Sequence, residues 1–412
     1  MKPPIRAAAV VLAAMIALFA AGCTGKAEAA SSSGTETAET TAVTETAETE
    51  QETEPAADDE AASEPATELV TSAPPAGETT SGEPPELDPS KIVGGKPINP
   101  LTGLAATEET MVRRPVAIMI NNIKQACPQV GISRADVIYE MMAEGGITRL
   151  MMLVTEYENL DVVGSVRSSR EYYVDMAQNH DAIYIHAGGA TSAYAAIQSR
   201  GINNIDGVNM YTPDTFYRDP ARASQMGLEH SLMTSGKGIV SGINYKKYRT
   251  TLKDGFRSPL YFIDYDAEPI TLADGAARHV IIPYNNYTFP QYIYRPSEGV
   301  YARYQFNGKE HIDSETGEIL TFTNVIVIAC IHSYTGDSFG HINIETAGEG
   351  DGYYFTRGTY AKIRWSKKSA DSPIEFTYND GSPVYLNCGK TFINVVDRGV
   401  FDSITLNYRK TK

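Results

Sequence analysis

The feature that most constrains this chain of 412 residues is an abrupt change of composition near residue 96. Residues 24–90 consist almost entirely of Thr, Glu, Ala, Ser, Pro and Gly, and they contain no aromatic residue. Such a segment buries too little apolar surface to offset the chain entropy that folding removes. We therefore predict that residues 23–96 form a long disordered tether and that the fold is confined to residues 97–412.

The net charge of −16 is concentrated in this tether, where seventeen acidic residues accompany a single lysine, Lys26. Residues 91–412 contain 32 basic and 34 acidic residues, so the part that folds is close to neutral. Proteins that bind nucleic acids present a basic stripe to the phosphate backbone. The composition therefore gives no support to a nucleic-acid partner.

We predict that the first 22 residues form a signal peptide rather than a folded element. Lys2 and Arg6 precede an apolar stretch at 7–19, which is too short to span a bilayer, and small residues then lead to Cys23. This order is similar to a bacterial lipoprotein signal. We expect cleavage before Cys23, lipidation of its thiol, and anchoring on the extracytoplasmic face of the bacterial cell membrane. The alternative is an ordinary secretory signal with a chance cysteine.

Residues 97–412 divide into two parts with different secondary-structure patterns. In 97–245, strand-like apolar runs alternate with helical segments, which is typical of an α/β domain with a mixed sheet. The predicted strands are 116–121, 137–142, 150–157, 162–166 and 182–186, and the predicted helices are 170–179 and 191–199. Residues 260–412 show strand alternation and the hairpin turns Asn307-Gly308 and Asp380-Gly381. They predict a mainly β domain, joined through a linker at 246–259.

The most specific local motif is Val166-Arg167-Ser168-Ser169-Arg170, between a predicted strand and a predicted helix. Either serine could cap the helix, whose free N–H groups and dipole favour an anion. Two guanidinium groups add the geometry that phosphate or carboxylate prefers. The alternative is a capped helix with two arginines paired to local acids.

A second motif, His186-Ala187-Gly188-Gly189, also joins a strand to a helix. If strands 162–166 and 182–186 are parallel neighbours, His186, Gly188 and Gly189 lie beside the two arginines, where ligands gather in α/β sheets. His186 is then a candidate acid or base, although a structural role is the more common one for such a histidine.

A third motif places Glu144 beside a glycine turn and five residues before Arg149. We favour an ion pair between Glu144 and Arg149 or an arginine of the anion motif, with a general-base role for Glu144 as the alternative. Arg149 is also a candidate ligand-binding residue, together with Arg167, Ser168, Ser169 and Arg170. A polar loop with Arg218, Arg222 and His230-Ser231 could close over the same cleft.

Metal, cofactor and thiol chemistry receive little support. His311, Asp313, His332 and His341 match no tight metal motif, so we predict no metal and no cofactor. Cys127, Cys330 and Cys388 form no disulfide framework. Cys330 lies in an apolar run and is predicted to be a buried thiol, which argues against a nucleophile pair with His332.

Linked motifs along the chain resemble the YerB family of bacterial lipoproteins. They are Arg114-Pro115-Val116, Ala135-Asp136-Val137-Ile138-Tyr139-Glu140, Glu144-Gly145-Gly146-Ile147-Thr148-Arg149, Val166-Arg167-Ser168-Ser169-Arg170, His186-Ala187-Gly188-Gly189, Trp365-Ser366-Lys367 and Leu386-Asn387-Cys388-Gly389-Lys390-Thr391. The resemblance covers about residues 97–400. This sequence departs from the family pattern at two points. The proline expected before His230 is missing, and Phe392 stands where a tryptophan is expected.

The resemblance implies a lipid-anchored surface protein with two domains, and it implies no reaction because the function of the family is unknown. Three hypotheses therefore stay open. The preferred one is binding of an anionic envelope ligand, such as a wall glycan, a phosphate or a carboxylate, by the α/β domain. The others are an envelope-polymer hydrolase or phosphotransferase using His186 or Glu144, and a structural or protein-partner module.

Overall fold

The computed structural model describes residues 96–338 and 340–408. The predicted signal peptide, the lipidation site Cys23 and the tether up to residue 95 lie outside the described residues. Among the residues described, no helix is long and apolar enough to cross a membrane.

α-Helices occur only in the first half of the described chain, and the structure bounds them as α1 (Glu108–Val112), α2 (Glu171–Asn179), α3 (Thr191–Ser199), α4 (Pro220–Met226) and α5 (Gly236–Lys246). The strands of this half are β1 (Val116–Asn121), β2 (Val137–Met142), β3 (Thr148–Val154), β4 (Val163–Gly164), β5 (Ile183–His186), β6 (Asn204–Asp206), β7 (Phe216–Arg218) and β8 (Leu232–Thr234).

The second half consists of strands, turns and the 3-10 helix Arg398–Ser403. Its strands are β9 (Tyr261–Phe262), β10 (Gly275–Ala276), β11 (His279–Ile281), β12 (Gln291–Arg295), β13 (Val300–Gln305), β14 (Lys309–Glu310), β15 (Thr321–Phe322), β16 (Asn324–Cys330), β17 (His332–Tyr334), β18 (Ile342–Ile344), β19 (Gly348–Thr356), β20 (Thr359–Lys367), β21 (Glu375–Tyr378), β22 (Tyr385–Leu386), β23 (Thr391–Asp397) and β24 (Thr405–Leu406). The predicted fold class, an α/β half followed by a mainly β half, is confirmed.

The two halves build one central sheet. Its strand order in the described chain is β10-β20-β19-β16-β23-β2-β3-β1-β5-β6, with β21 beside β20. The halves meet where β2 pairs in parallel with β23, from Val137 opposite Thr391 to Met141 opposite Val395. Nothing in the apolar patterns specifies this pairing, because the two strands lie some 250 residues apart in the sequence.

Both faces of the central sheet are buried, which explains its continuous apolar strands. On one face, Met119 of β1 packs in a core that includes Tyr173 of α2 and Ile197 of α3. On the other face, Ile118 packs in a core with Ile243 of α5 and with the second sheet. That second sheet has the order β14-β13-β12-β11-β24, with β15 beside β13.

The segment predicted as a linker, 246–259, packs against the first half. The backbone N–H of Arg114 donates to the carbonyl of Thr250 at 2.8 Å, and Arg249 forms an ion pair with Asp181 at 2.8 Å. Phe256 is buried. These contacts fix the segment beneath the starts of β1 and β5.

Candidate functional site

The candidate residues lie along one edge of the central sheet. Strands β1, β5 and β6 run parallel, as do β2, β23 and β16, and β3 is antiparallel to both β1 and β2. All six parallel strands therefore end at the same edge, which we call the carboxyl edge. Ligands of α/β proteins gather at such edges.

The strand predicted at 162–166 is wrong as a neighbour of β5. Only β4 forms there, and it pairs with β8 in a small sheet of β4, β8 and β7. Val166 instead forms an isolated bridge with Ile120 of β1, and both Val163 and Val166 are buried on the α5 side of the central sheet. The chain returns at the carboxyl edge, where the N–H of Ala187 donates to the carbonyl of Arg167 at 3.0 Å. The two predicted motifs are therefore adjacent by a different route.

At this edge Glu144 joins two arginines. Its Oε1 accepts a hydrogen bond from Nη2 of Arg149, and its Oε2 lies 2.7 Å from Nη2 of Arg170. Arg149 also donates from Nη1 to the carbonyl of Ser168 at 3.1 Å, and Arg170 donates from Nη1 to the carbonyl of Ser169 at 2.8 Å. The structure thus shows both ion pairs that the sequence favoured. We call Glu144, Arg149 and Arg170 the Glu144 cluster.

The Glu144 cluster holds one more positive than negative charge. Burial, and next to it the neighbouring Arg170, lower the pKa of Arg149, and Arg167 contributes in the same direction. Burial alone would raise the pKa of Glu144, but Arg149 and Arg170 hold it below its ordinary value. The two guanidinium groups repel one another, and the shared carboxylate of Glu144 offsets that repulsion.

Arg167 lies outside the Glu144 cluster and has its own partner. Its Nη2 is 2.9 Å from Oε2 of Glu229, whose carboxylate also lies 3.3 Å from Nε2 of His230. The other ring nitrogen of His230 is 2.9 Å from Nδ2 of Asn121, at the end of β1. Glu229 is largely exposed, so this pair is open to solvent and to salt.

The predicted serine cap of the helix is wrong. The N-cap of α2 is Arg170, which makes no side-chain hydrogen bond to the first turn. Ser169 is buried one residue earlier, and its hydroxyl accepts a hydrogen bond from Tyr184 of β5 at 2.8 Å. Ser168 is half-buried and holds Arg149 through its carbonyl. The N–H groups of the first turn of α2 therefore lack a side-chain cap.

His186 is fully buried at the end of β5. Its Nδ1 lies 2.9 Å from the carbonyl of Gly188, and its Nε2 lies 3.2 Å from Oδ1 of Asn204. Gly188 has a φ of 72°, which favours glycine, and its N–H donates to Asp206 at 2.7 Å. Gly189 pairs with Ser169 as an isolated bridge. In this arrangement His186 orients the turn before α3.

The starts of α2 and α3 open into one cleft of about 340 Å³. Like α2, α3 has no side-chain cap, because its N-cap is Ala190. The remaining wall is the hairpin of β17 and β18 from the second half. The cleft is lined by Arg170, Glu171, Tyr172, Ala190, Thr191, Ser192, Thr335, Asp337, His341, Ile342 and Asn343. Arg170 connects this cleft to the Glu144 cluster.

The polar loop around α4 reaches the site through the ion pair of Glu229 with Arg167. Arg222 is buried and pins the loop, because it donates to the backbone carbonyls of His230, Pro128 and Ala126 at 3.2, 3.2 and 2.6 Å. Arg218 donates to the carbonyl of Leu228. These contacts hold the loop together on the β4–β8–β7 side of the carboxyl edge.

The residues considered for metal or thiol chemistry are dispersed. Among residues 96–338 and 340–408, no three His, Cys, Asp or Glu side chains are grouped to hold a metal ion. His311 is buried within the second half, whereas His341 lies in the cleft beside Asp337. Cys330 is buried as predicted and burial raises its thiol pKa, while burial lowers the pKa of His332 to about 4.

A buried ion pair lies behind the site, and the sequence did not predict it. Nη2 of Arg303 lies 2.6 Å from Oε2 of Glu140, and both side chains are fully buried. Arg303 also lies over the ring of Phe392, 4.8 Å from its centroid. Phe392 is the position where the family resemblance suggested tryptophan, and a ring is retained there beneath a cation.

The network extends from this pair across both halves. Oε1 of Glu140 accepts hydrogen bonds from Thr148 at 2.7 Å and Asn122 at 3.2 Å. On the other side, Nδ1 of His311 accepts from Arg303, and its Nε2 donates to Gln129 at 2.9 Å. Burial and Arg303 hold the pKa of His311 well below its ordinary value. The only sequence signal was a charged residue inside each of two apolar strands.

Comparisons with known proteins agree with this architecture. Residues 101–249 match the family described as "Protein of unknown function (DUF3048) N-terminal domain", and residues 280–393 match its C-terminal domain. A Bacillus subtilis (strain 168) protein named "Putative lipoprotein YerB" is 30% identical over 301 residues, which cover 72% of this chain and 85% of that protein.

A solved structure is similar as well. The crystal structure of YerB protein from Bacillus subtilis matches with a TM-score of 0.65 and 28% identity, and the match covers 76% of this chain and all of that one. The motifs at the carboxyl edge and the strands behind the buried ion pair fall inside the two matched segments. The chain therefore belongs to the YerB-like family, whose two domains are described as being of unknown function.

Proposed function

We propose that this protein is a lipid-anchored component of the bacterial cell envelope that binds an anionic ligand at the cleft between the starts of α2 and α3. The lipid anchor is supported by the sequence that precedes Cys23 and by the word lipoprotein in the name of the Bacillus subtilis relative. A wall glycan, a phosphate or a carboxylate supplies the negative charge.

The observation that carries the binding proposal is that two arginines share one carboxylate beside two uncapped helix starts. Each helix start presents N–H groups and the positive end of its dipole to the same cleft. Arg170 belongs to the Glu144 cluster and lines that cleft together with Glu171 and Asp337. Arg167 lies at the same edge, where it is paired with the largely exposed Glu229.

The same contacts favour binding over catalysis. Glu144 is held by two arginines and its lowered pKa makes it a weak base. His186 is fully buried, and both of its ring nitrogens face oxygen atoms of the protein. A general acid or base needs a free position facing the substrate, so the binding proposal fits these two residues better than the enzyme hypothesis.

Calorimetric titration with inorganic phosphate and with phosphorylated wall fragments tests the binding site. Arg170→Ala is expected to weaken binding by about 1.5–3 kcal/mol, as for loss of a charged hydrogen bond. Arg170→Lys, which keeps the charge, is expected to lose less. Arg295→Ala, on β12 and outside the cleft, is the matched control. Equal affinities of all variants at low salt would refute the site.

Membrane fractionation tests the anchor separately. Cys23→Ala is expected to release the protein from membranes into the medium, because the thiol that accepts the lipid is gone. A neighbouring change, Thr24→Ala, keeps the thiol and serves as the control. Retention of the Cys23→Ala protein in the membrane fraction would contradict lipid anchoring at this residue.

A further inference from the structure

A second cavity lies at the other end of α2, where the two halves of the described chain meet. It measures about 130 Å³ and is lined from three parts of the chain. These are the end of α2, the segment at 253–257 and the turn between β20 and β21. None of its lining residues lines the cleft at the starts of α2 and α3, so the two cavities are separate among the residues described.

Two side-chain oxygens at this end of α2 are buried without a hydrogen-bond partner in the described chain. They are Oε1 of Gln178 and Oδ1 of Asn179, and Asn179 is only 4% exposed. The amide nitrogen of Asn179 donates to Sδ of Met176 at 3.4 Å, which leaves the oxygen as the atom to be matched. Buried acceptors are nearly always paired in folded proteins. Because both residues line the cavity, the two oxygens indicate a ligand that donates hydrogen bonds.

The same end of the cavity favours a positively charged donor. The last carbonyl groups of a helix carry the negative end of its dipole and attract cations. The carboxylate of Asp371 lines the cavity as well and is 64% exposed. Its contact with Nε of Arg200 is long, at 3.6 Å, and Arg200 makes a shorter ion pair with Asp175. An ammonium group here would therefore meet two amide oxygens, a helix end and a carboxylate.

Two basic side chains in the lining favour the opposite charge. Lys253 is exposed and Arg257 is half-buried, and both belong to the segment that connects the halves. The backbone N–H of Lys253 donates to Asp181 at 2.9 Å, which fixes this segment beside α2. An ammonium and a guanidinium group are the usual partners of a carboxylate. The cavity thus combines groups that suit a cation with groups that suit a carboxylate.

The turn that carries Asp371 is held in place by a buried lysine. Nζ of Lys367 donates to the carbonyls of Ser369, Ala370 and Ser372 at 2.8, 2.5 and 2.7 Å, and Lys367 is only 1% exposed. Three hydrogen bonds from one ammonium group restrict the backbone on both sides of Asp371. A wall that is fixed before binding lowers the entropy that a ligand must overcome.

We propose that this cavity binds a free α-amino acid. The ammonium group of the ligand faces the end of α2 and Asp371, and its carboxylate faces Lys253 and Arg257. A simple anion would meet Asp371 and two unmatched oxygens, whereas a simple cation would meet two basic side chains. Only a ligand with both charges on neighbouring atoms satisfies the whole lining, and the small volume favours a short side chain. Since the lining comes from both halves, a bound ligand also stabilises their contact.

Calorimetric titration of the full chain in detergent tests this site with three probes. Glycine carries both charges, acetate carries only the carboxylate, and methylamine carries only the ammonium group. The variants Asp371→Asn and Lys253→Ala each remove one charge at an exposed position, so the thermal midpoint without ligand should stay unchanged. Asn179→Leu removes one of the unmatched oxygens. Lys237→Ala, at an exposed position of α5, and Asp351→Asn, in an exposed pair with Arg364, are the matched controls.

We expect glycine to bind and to raise the thermal midpoint, and acetate and methylamine to bind at least about tenfold more weakly. Asp371→Asn, Lys253→Ala and Asn179→Leu should each weaken glycine binding by about tenfold, as for loss of a charged hydrogen bond. Both controls should bind as the wild type does. No glycine binding, equal glycine affinity in Asp371→Asn, Lys253→Ala and the controls, or acetate binding as tight as that of glycine would overturn the proposal.

Discussion

Glu144 holds the candidate site together, because it is the shared partner of Arg149 and Arg170. Without this carboxylate, two guanidinium groups would lie side by side, one of them almost fully buried. The cost of that arrangement is desolvation and mutual repulsion. The site thus depends on a residue whose charge changes in acid.

We expect the stabilising effect of Glu144 to disappear at low pH. Its pKa is below the ordinary value of 4.5 in the fold, so its contribution is complete above that value and is lost as the pH falls through the lowered pKa. Thermal midpoints of wild type and Glu144→Gln should differ most at neutral pH and converge in acid, as the pH falls below the ordinary pKa of 4.5. A constant difference across this range would contradict the ion-pair account, and Glu298→Gln, in an exposed pair, is the control.

The buried pair of Arg303 and Glu140 is expected to dominate local stability. Arg303→Met leaves a carboxylate buried without its cation, which costs about 3–5 kcal/mol. Arg295→Met removes an exposed pair with Glu298 and should cost no more than about 1 kcal/mol. Urea denaturation of the two variants measures the contrast. Similar losses in both would show that burial does not determine the effect.

At the scale of elements, α5 shows why some glycines are required for packing. A Cβ on Gly236 would lie 2.5 Å from the carbonyl oxygens of Tyr157 and Glu158, and one on Gly238 would lie 2.6 Å from that of Thr215. The sequence Ser235-Gly236-Lys237-Gly238 only superficially resembles a phosphate loop. Its glycines let the helix approach neighbouring backbone, and Ser235 caps it.

Gly238→Ala should therefore destabilise the protein, although alanine is the better helix former. Overpacking of this kind costs about 1–3 kcal/mol. Lys237→Ala, at the exposed neighbouring position, should be close to neutral and should leave phosphate affinity unchanged. Thermal unfolding of both variants is the measurement. A stabilised Gly238→Ala protein would show that the helix can shift to accept the added methyl.

Elements with strong local patterns were predictable. The predicted bounds of β1, β2 and α3 agree with the structure, because each apolar run is long and has clear ends. The strand at 162–166 failed because pairing with β8, more than 60 residues away, decides its place. The serine cap failed because a tertiary partner, Tyr184, takes the hydroxyl of Ser169.

At the scale of the whole molecule, the shared sheet is what sequence reasoning could not provide. A parallel pair between β2 and β23 leaves no local trace, since the apolar residues of the two strands are typical of any buried strand. The same holds for the polar network, in which Glu140 meets Arg303 only after both halves assemble. The Glu144 cluster could be predicted, because its arginines and carboxylate lie in recognisable motifs at strand ends.

The shared sheet predicts that residues 97–412 unfold in one cooperative transition. Separation of β2 from β23 would expose the core on both faces, so neither half is expected to unfold alone. Calorimetry should give a van't Hoff enthalpy equal to the calorimetric enthalpy. Two resolved transitions would show that the halves are independent in stability.

Anion binding at the starts of α2 and α3 can be observed directly in a crystal structure of the protein soaked with inorganic phosphate or a phosphorylated wall fragment. We expect an anion within hydrogen-bonding distance of Arg170 and of the first-turn N–H groups of α2 or α3. An empty cleft, with the anion bound elsewhere or not at all, would refute the binding site and leave the Glu144 cluster with a structural role.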